Sequence, residues 1–298
     1  MIPLSRPILG AEEKSRVCGV LDSGWIAAGE EVSQFEKEFA QYVGVKYAIF
    51  TNSCTAALKM AYKYFKEEGF TKYHLLEPNT YCATYSAADE TGLIRSNKYY
   101  QGNLRVVVHF GGVKQNLLCH LEDSAHRIEP NDPLIGMIRC YSFYATKNMT
   151  TGHGGMFVTN NKDIYERARL YWKDGLSTST EDRIKKSCDY TVLLSAGGYD
   201  GNDIAASIGR IQLKKLPMFT EIRNRIVKQY NEAFNKDWVG NHIYPYSKDK
   251  GLIEHLLKYD IRAGLFYPPN GFVCLPLYPT LTIDEQEFVI SKVKEYKS

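Results

Sequence analysis

The chain has 298 residues, 44% hydrophobic and 24% charged, the balance of an ordinary globular protein with room for a large core. A formal net charge of +3 without any dense Lys/Arg run gives no argument for nucleic-acid binding, and none is expected. No apolar run reaches membrane-spanning length and no apolar leader opens the sequence, so a cytoplasmic protein away from the membrane is expected.

Taken in order, residues 1–29 begin extended around Pro3 and Pro7, carry a helix over 11–21, and end in Ser23-Gly24-Trp25-Ile26-Ala27-Ala28-Gly29. A tryptophan between glycines makes Gly24 and Trp25 candidate substrate contacts, with a Trp plugging the core edge as the equal alternative. Val32, Phe35, Phe39, Tyr42 and Val43 follow helical spacing, and Gly44 is placed to end that helix. Residues 47–50 read as a short buried strand. It runs into Asn52-Ser53-Cys54-Thr55-Ala56-Ala57-Leu58, where small polar residues open an Ala-rich helix. Such a helix entrance offers free N–H groups, hydroxyls and a positive dipole end to a phosphate, although plain N-capping explains the same residues.

Leu75 and Leu76 precede Tyr81 and a small-residue helix around Ser86, Ala87 and Ala88. Apolar runs at 105–110 and 117–121 follow, the second ending at Glu122-Asp123. Another run ends at Ser142-Phe143, and a polar turn carrying Lys147 leads through Gly152, Gly154 and Gly155 into the strand 156–158. Residues 163–173 look helical, 174–187 read as an exposed loop, and 196–202 form a glycine-rich turn. Ile204, Ile208 and Ile211 mark a helix to about Leu216. Pro217 then reads as a domain boundary before a second helix over 222–234. The last helix opens on a Thr282–Glu285 capping box and is expected to bury Phe288, Val289 and Val293.

Alternating strands and helices indicate an α/β fold with a mainly parallel sheet, whose ligands sit beyond the strands' carboxyl ends. Ser53, Tyr81, Asp123 and Lys147 all fall there. His120, Asp123 and His126 lack the spacing of known zinc motifs, and seven scattered cysteines without a C-x-x-C pair fit reduced thiols. No dinucleotide fingerprint or P-loop is present. The set that coheres is a lysine amine, a carboxylate and a phosphate cradle at Ser53, Cys54, Thr55 and Ser142. These are the parts pyridoxal phosphate needs: an amine for a Schiff base, an acid to keep the ring nitrogen protonated, and donors for the phosphate. Tyr81 can stack on the ring.

The sequence resembles the DegT/StrS family of pyridoxal-phosphate-dependent sugar aminotransferases. The resemblance lies in Ser5-Arg6-Pro7 with Ser23-Gly24-Trp25, in 52–58, and in Glu122-Asp123-Ser124-Ala125-His126. It continues through Ser142-Phe143 with Thr146-Lys147-Asn148 to Gly154-Gly155, and through Leu275-Pro276-Leu277-Tyr278-Pro279. The resemblance implies a type I aminotransferase fold, with a large cofactor-binding domain over 1–216 and a smaller α/β domain over 217–298. It implies that Lys147 carries the cofactor and shuttles the proton, that Asp123 pairs with the ring nitrogen, and that His126 lies near the phenolic oxygen. The implied reaction moves an amino group from glutamate to a keto sugar nucleotide, with pyridoxamine phosphate between the halves. A homodimer with shared sites is implied too, in which Asn202, or else Asp200, reaches the neighbour's phosphate.

The chain departs from the family pattern in three ways. Cys54 replaces a glycine, His153 stands where an acid or amide is usual, and several connections are short. A non-catalytic cofactor- or sugar-nucleotide-binding homologue is therefore one alternative. A pyridoxamine-dependent sugar dehydratase is another, though such enzymes carry histidine where this chain keeps Lys147.

Overall fold

The computed structural model describes residues 1–77, 80–98, 100–178, 189–267 and 271–297. Two helices, α1 (Ala11–Ser23) and α2 (Glu30–Val43), lead in, each ended by a glycine with left-handed backbone, Gly24 at φ 71° and Gly44 at φ 79°. Strand β1 (Tyr47–Thr51) then enters α3 (Cys54–Glu67). Strand β2 (Lys72–Leu75), helix α4 (Cys82–Glu90) and strands β3 (Ile94–Arg95), β4 (Leu104–Val108), β5 (Leu121–Asp123), β6 (Ile138–Ser142) and β7 (Gly155–Thr159) follow. They form one sheet in the order β1-β7-β6-β5-β4-β2-β3. β7 runs antiparallel to both its neighbours, and the other pairings are parallel. The carboxyl ends of β1, β2, β4, β5 and β6 therefore share one edge, together with the start of β7. That is where a ligand is expected in such sheets.

The sheet is covered by α2, α3 and α5 (Lys162–Trp172). At its centre Phe35, Phe39, Phe50 and Phe143 are fully buried, and Phe35 meets Phe50 edge-on at 5.0 Å between ring centroids. Each such side chain contributes about 1.5–3 kcal/mol by leaving water. The helix over 204–216 does not end at Pro217. A single helix, α6 (Asp203–Phe234), runs through the proline. Its first half buries Ala206, Leu213 and Leu216 in the main core. Its second half buries Ile226, Val227 and Tyr230 in a second core. Packing on both sides of the proline outweighs the hydrogen bond it removes.

The second core also takes a three-stranded antiparallel sheet, β8 (Tyr244–Ser247), β10 (Phe272–Leu275) and β9 (Gly264–Phe266), with α7 (Gly251–Leu257) and α8 (Ile283–Lys297). The capping box of α8 is present, since Thr282 Oγ1 accepts from Glu285 N and Glu285 Oε2 from Thr282 N. Val289 and Val293 are buried as expected, but Phe288 is 41% exposed, under the Lys292 ammonium, because it lies off the buried stripe. Leu117 and Leu118 are exposed too, so the strand expected over 117–121 is confined to Leu121–Asp123. Most of the loop expected at 174–187 lies outside the described residues.

Candidate active site

A cavity of about 680 Å³ opens at the shared sheet edge. Ser53, Cys54 and Thr55 line it from the start of α3, Tyr81 and Thr84 from α4, Asp123 from the end of β5, and Ser142 and Lys147 from β6 and its following turn. His126 completes one wall. Eight sequence-predicted residues, separated by almost a hundred positions, thus face one space.

The turn that presents Lys147 is closed at its base. Phe143 N donates to Gly154 O at 2.9 Å, Thr151 N to Phe143 O at 3.0 Å and Lys147 N to Tyr144 O at 2.9 Å. The side chain enters the cavity, and no described residue hydrogen-bonds or ion-pairs its amine. Burial lowers its pKa from the ordinary 10.5 to about 8, against the opposing pull of Cys54 and the Asp123 carboxylate. An amine of that affinity is partly neutral near pH 7, hence nucleophilic.

Asp123 is 4% exposed, and both its oxygens accept a hydrogen bond, Oδ1 from Ala125 N at 3.0 Å and Oδ2 from the Thr84 hydroxyl at 2.7 Å. Ser53 caps α3 by accepting from Ala56 N at 3.1 Å, which leaves other first-turn N–H groups of α3 to the cavity. Gly155 lets this helix entrance sit against β7. A Cβ there would lie 2.4 Å from Cys54 N and 2.5 Å from Ser53 C. Burial, reinforced by Asp123, raises the Cys54 thiol well above its usual value, so it lines the cradle as a neutral group.

His126 is held from two sides. Gly111 N donates to its Nδ1 at 3.2 Å, which leaves the proton of a neutral ring on Nε2, facing the Tyr267 hydroxyl at 2.8 Å. Burial and the nearby Lys147 push its pKa well below 6.5, so the ring is neutral. Tyr267 has no counterpart among the sequence candidates. It stacks on His126 at 12° between planes, stands 6.4 Å from the Tyr81 ring and has a positive φ of 59°. The only hint of it in the sequence is a tyrosine ahead of Pro268-Pro269. His153 also lines the cavity, edge-on to the Tyr144 ring at 5.7 Å.

Two expected groups lie elsewhere within the chain. Asn202 is the N-cap of α6, its Oδ1 accepting from Ala205 N at 2.9 Å. Asp200 pairs by its backbone with Thr51. Trp25, just past Gly24, lines a separate open cavity of about 840 Å³ with Gly29, Glu31 and Arg16. There Asp203, which sequence reasoning missed, accepts from Gly29 N and Val32 N and so caps α2, whose N-cap glycine has no side chain.

The donor set fits a phosphorylated pyridine aldehyde: an amine without a partner among the described residues, a fixed carboxylate and a helix entrance rimmed with hydroxyls. On an α/β sheet of this order, that set is the one a pyridoxal-phosphate enzyme needs. Residues 7–95 and 121–263 match the DegT/DnrJ/EryC1/StrS aminotransferase family, and the chain belongs to it. It is a pyridoxal-phosphate-dependent transaminase. The spore coat polysaccharide biosynthesis protein SpsC of Bacillus subtilis is 34% identical over 286 residues, covering 84% of this chain and 73% of that one. A Helicobacter pylori UDP-4-amino-4,6-dideoxy-N-acetyl-beta-L-altrosamine transaminase is 27% identical, covering 89% of this chain and 83% of that one. In fold, the chain is similar to Helicobacter pylori PseC, an aminotransferase involved in the biosynthesis of pseudoaminic acid, at a TM-score of 0.88 and 22% identity over 99% of this chain and 98% of that one. It is likewise similar to the sugar aminotransferase CalS13 of Micromonospora echinospora, at 0.87 and 22% over 99% and 100%.

Proposed function

We propose that the protein transfers an amino group from glutamate to the keto carbon of a nucleotide-linked sugar. The observation that carries this reading is the Lys147 amine, without a hydrogen-bond partner among the described residues and enclosed with the Asp123 carboxylate and the α3 entrance in one cavity. The names of the sugar-transaminating relatives support the acceptor class.

Pyridoxal phosphate, bound there, would supply an aldehyde to take the amino group and a ring to accept electrons. Lys147 would hold the aldehyde through its amine and would carry the proton that the transfer moves. Its affinity of about 8 suits both directions of that transfer near neutral pH. Asp123 would keep the ring nitrogen protonated. His126, neutral in its pocket, would line the ring's place without adding charge. Ser53, Cys54, Thr55 and Ser142 would hold the phosphate, and Tyr81 would pack against the ring.

Asn202 and the Gly24-Trp25 turn lie away from this cavity, which supports a homodimer in which they serve the neighbouring subunit's site. The two buried cores support a division into a cofactor-binding unit over 1–216 and a smaller unit over 217–298, joined by α6. Among the described residues no helix is long and apolar enough to cross a membrane, which fits work in the cytoplasm. The test is a half-reaction: glutamate added to yellow holoenzyme should bleach the visible cofactor band, and a keto sugar nucleotide should restore it. A band that glutamate leaves unchanged rules out the donor, and a full panel of keto sugar nucleotides that fails to restore it rules out the acceptor class.

A further inference from the structure

Asp123 is not oriented by its own strand alone. Its Oδ2 accepts from the Thr84 hydroxyl at 2.7 Å, and Thr84 Oγ1 lies 2.8 Å from Thr80 Oγ1. The direction of both bonds follows from proton counting. A carboxylate only accepts, so Thr84 spends its single hydroxyl proton on Asp123 and must accept from Thr80. All three side chains are buried, with Thr84 at 1% exposure, and all three line the cavity. A bond to a charged acceptor in such a place is among the stronger kinds.

The placement on α4 adds a second link. Thr84 sits three residues after Tyr81, the N-cap of that helix, so one helical turn carries both the aromatic at the cavity wall and the donor to Asp123. The same turn is anchored to α3, because the Tyr62 hydroxyl donates to Thr84 O at 2.8 Å. The helix entrance, the aromatic and the carboxylate are thereby fixed relative to one another through Thr84.

We infer that Thr84, fed by Thr80, is the positioning residue that fixes the plane of the Asp123 carboxylate toward the cofactor's ring nitrogen. This rests on the proposed roles of Asp123 and Lys147. With Thr84 bonded, both carboxylate oxygens are tied, one to Ala125 N and one to the hydroxyl. Without it, one bond remains and the group turns about its last side-chain torsion, so ring nitrogen and carboxylate meet in a spread of geometries.

The test compares holoenzyme with Thr84→Val, which keeps shape and removes the hydroxyl, and Thr84→Ser, which keeps the hydroxyl. Three quantities are measured: the pH midpoint of the visible cofactor band, the pyridoxal phosphate dissociation constant, and kcat with KM for glutamate. Thr84→Val should lower kcat by about tenfold to a hundredfold while KM changes little, as expected of a misoriented reacting pair. It should also shift the band midpoint, and Thr84→Ser should restore both. Thr80→Val, which leaves the bond to Asp123 in place, should move the same quantities in the same direction by less, and it serves if Thr84→Val fails to fold. A Val variant with wild-type midpoint and kcat overturns the inference, and so does a Ser variant as impaired as Val. Wild-type protein that never takes up the cofactor would instead overturn the functional reading beneath it.

Discussion

Gly155→Ala tests whether the phosphate cradle depends on the contact between α3 and β7. The added Cβ would lie 2.4 Å from Cys54 N, 2.5 Å from Ser53 C and 2.6 Å from Ser53 O. All three are backbone atoms, so none can swing away as a side-chain tip would. To reach even 3.0 Å, the first turn of α3 and the start of β7 must separate by at least about 0.6 Å. β7 is held by pairing on both edges, Gly155 facing Thr51 of β1 and Ser142 of β6, so the helix entrance is the side that yields. Overpacking of this kind costs about 1–3 kcal/mol of stability. Displacement of the phosphate donors by more than half an ångström should weaken pyridoxal phosphate binding by about tenfold or more. Urea denaturation of the cofactor-free protein reads the first effect, and spectroscopic titration with the cofactor reads the second. Gly152→Ala is the control. Gly152 has a positive φ of 81° but nothing within 4 Å of its would-be Cβ, so strain appears without damage to the cradle. A folded Gly155→Ala protein that binds the cofactor within about twofold of wild type would refute the cradle geometry.

Lys147 carries a stability signature opposite to its chemical value. Its folded pKa of about 8 lies below the unfolded 10.5, so the unfolded chain binds more protons and the cost is full below pH 8. Lys147→Met should therefore stabilise the cofactor-free protein at pH 7 by about 3 kcal/mol while abolishing turnover. The gain should shrink as pH rises from 8 toward 10.5, and denaturation curves at both ends check it. Arg139→Leu leaves Glu122 and Asp132 without the guanidinium that bonds both, and should cost about 3–5 kcal/mol by urea denaturation. Glu122 is itself held at about 2, since hydrogen bonds from His109 and Arg139 outweigh its burial. Its contribution should persist above pH 4.5 and be lost as pH falls toward 2. Tyr267→Phe removes the hydroxyl that meets His126 Nε2. The variant should keep its fold by circular dichroism and lose activity through kcat, by about tenfold if that hydroxyl orients the ring.

The site was legible in the sequence where chemistry is concentrated in short segments. Ser53–Thr55, Asp123–His126 and Ser142–Lys147 each follow a strand that ends at one sheet edge, and the structure brings them to one cavity. What escaped was what packing decides. Pro217 marks a break by local rules, but α6 continues because Leu213 and Leu216 before it, and Ile226 and Val227 after it, are buried in two cores. Leu117 and Leu118 have strand-like composition, yet no face of the sheet covers them. Tyr267 reaches the site only through the fold of the small sheet, 141 residues beyond His126, and its left-handed backbone has no signature outside glycine and asparagine. Thr84 carries no signal of its own in the sequence. Its role depends on a partner 39 positions away.

The most direct measurement is borohydride reduction of the purified protein after incubation with pyridoxal phosphate, followed by peptide mass mapping. A single reduced pyridoxyl adduct on the peptide containing Lys147, absent from Lys147→Ala, is the predicted result. Adducts spread over surface lysines, with the Lys147 peptide unmodified, would contradict the assignment of this cavity as the active site.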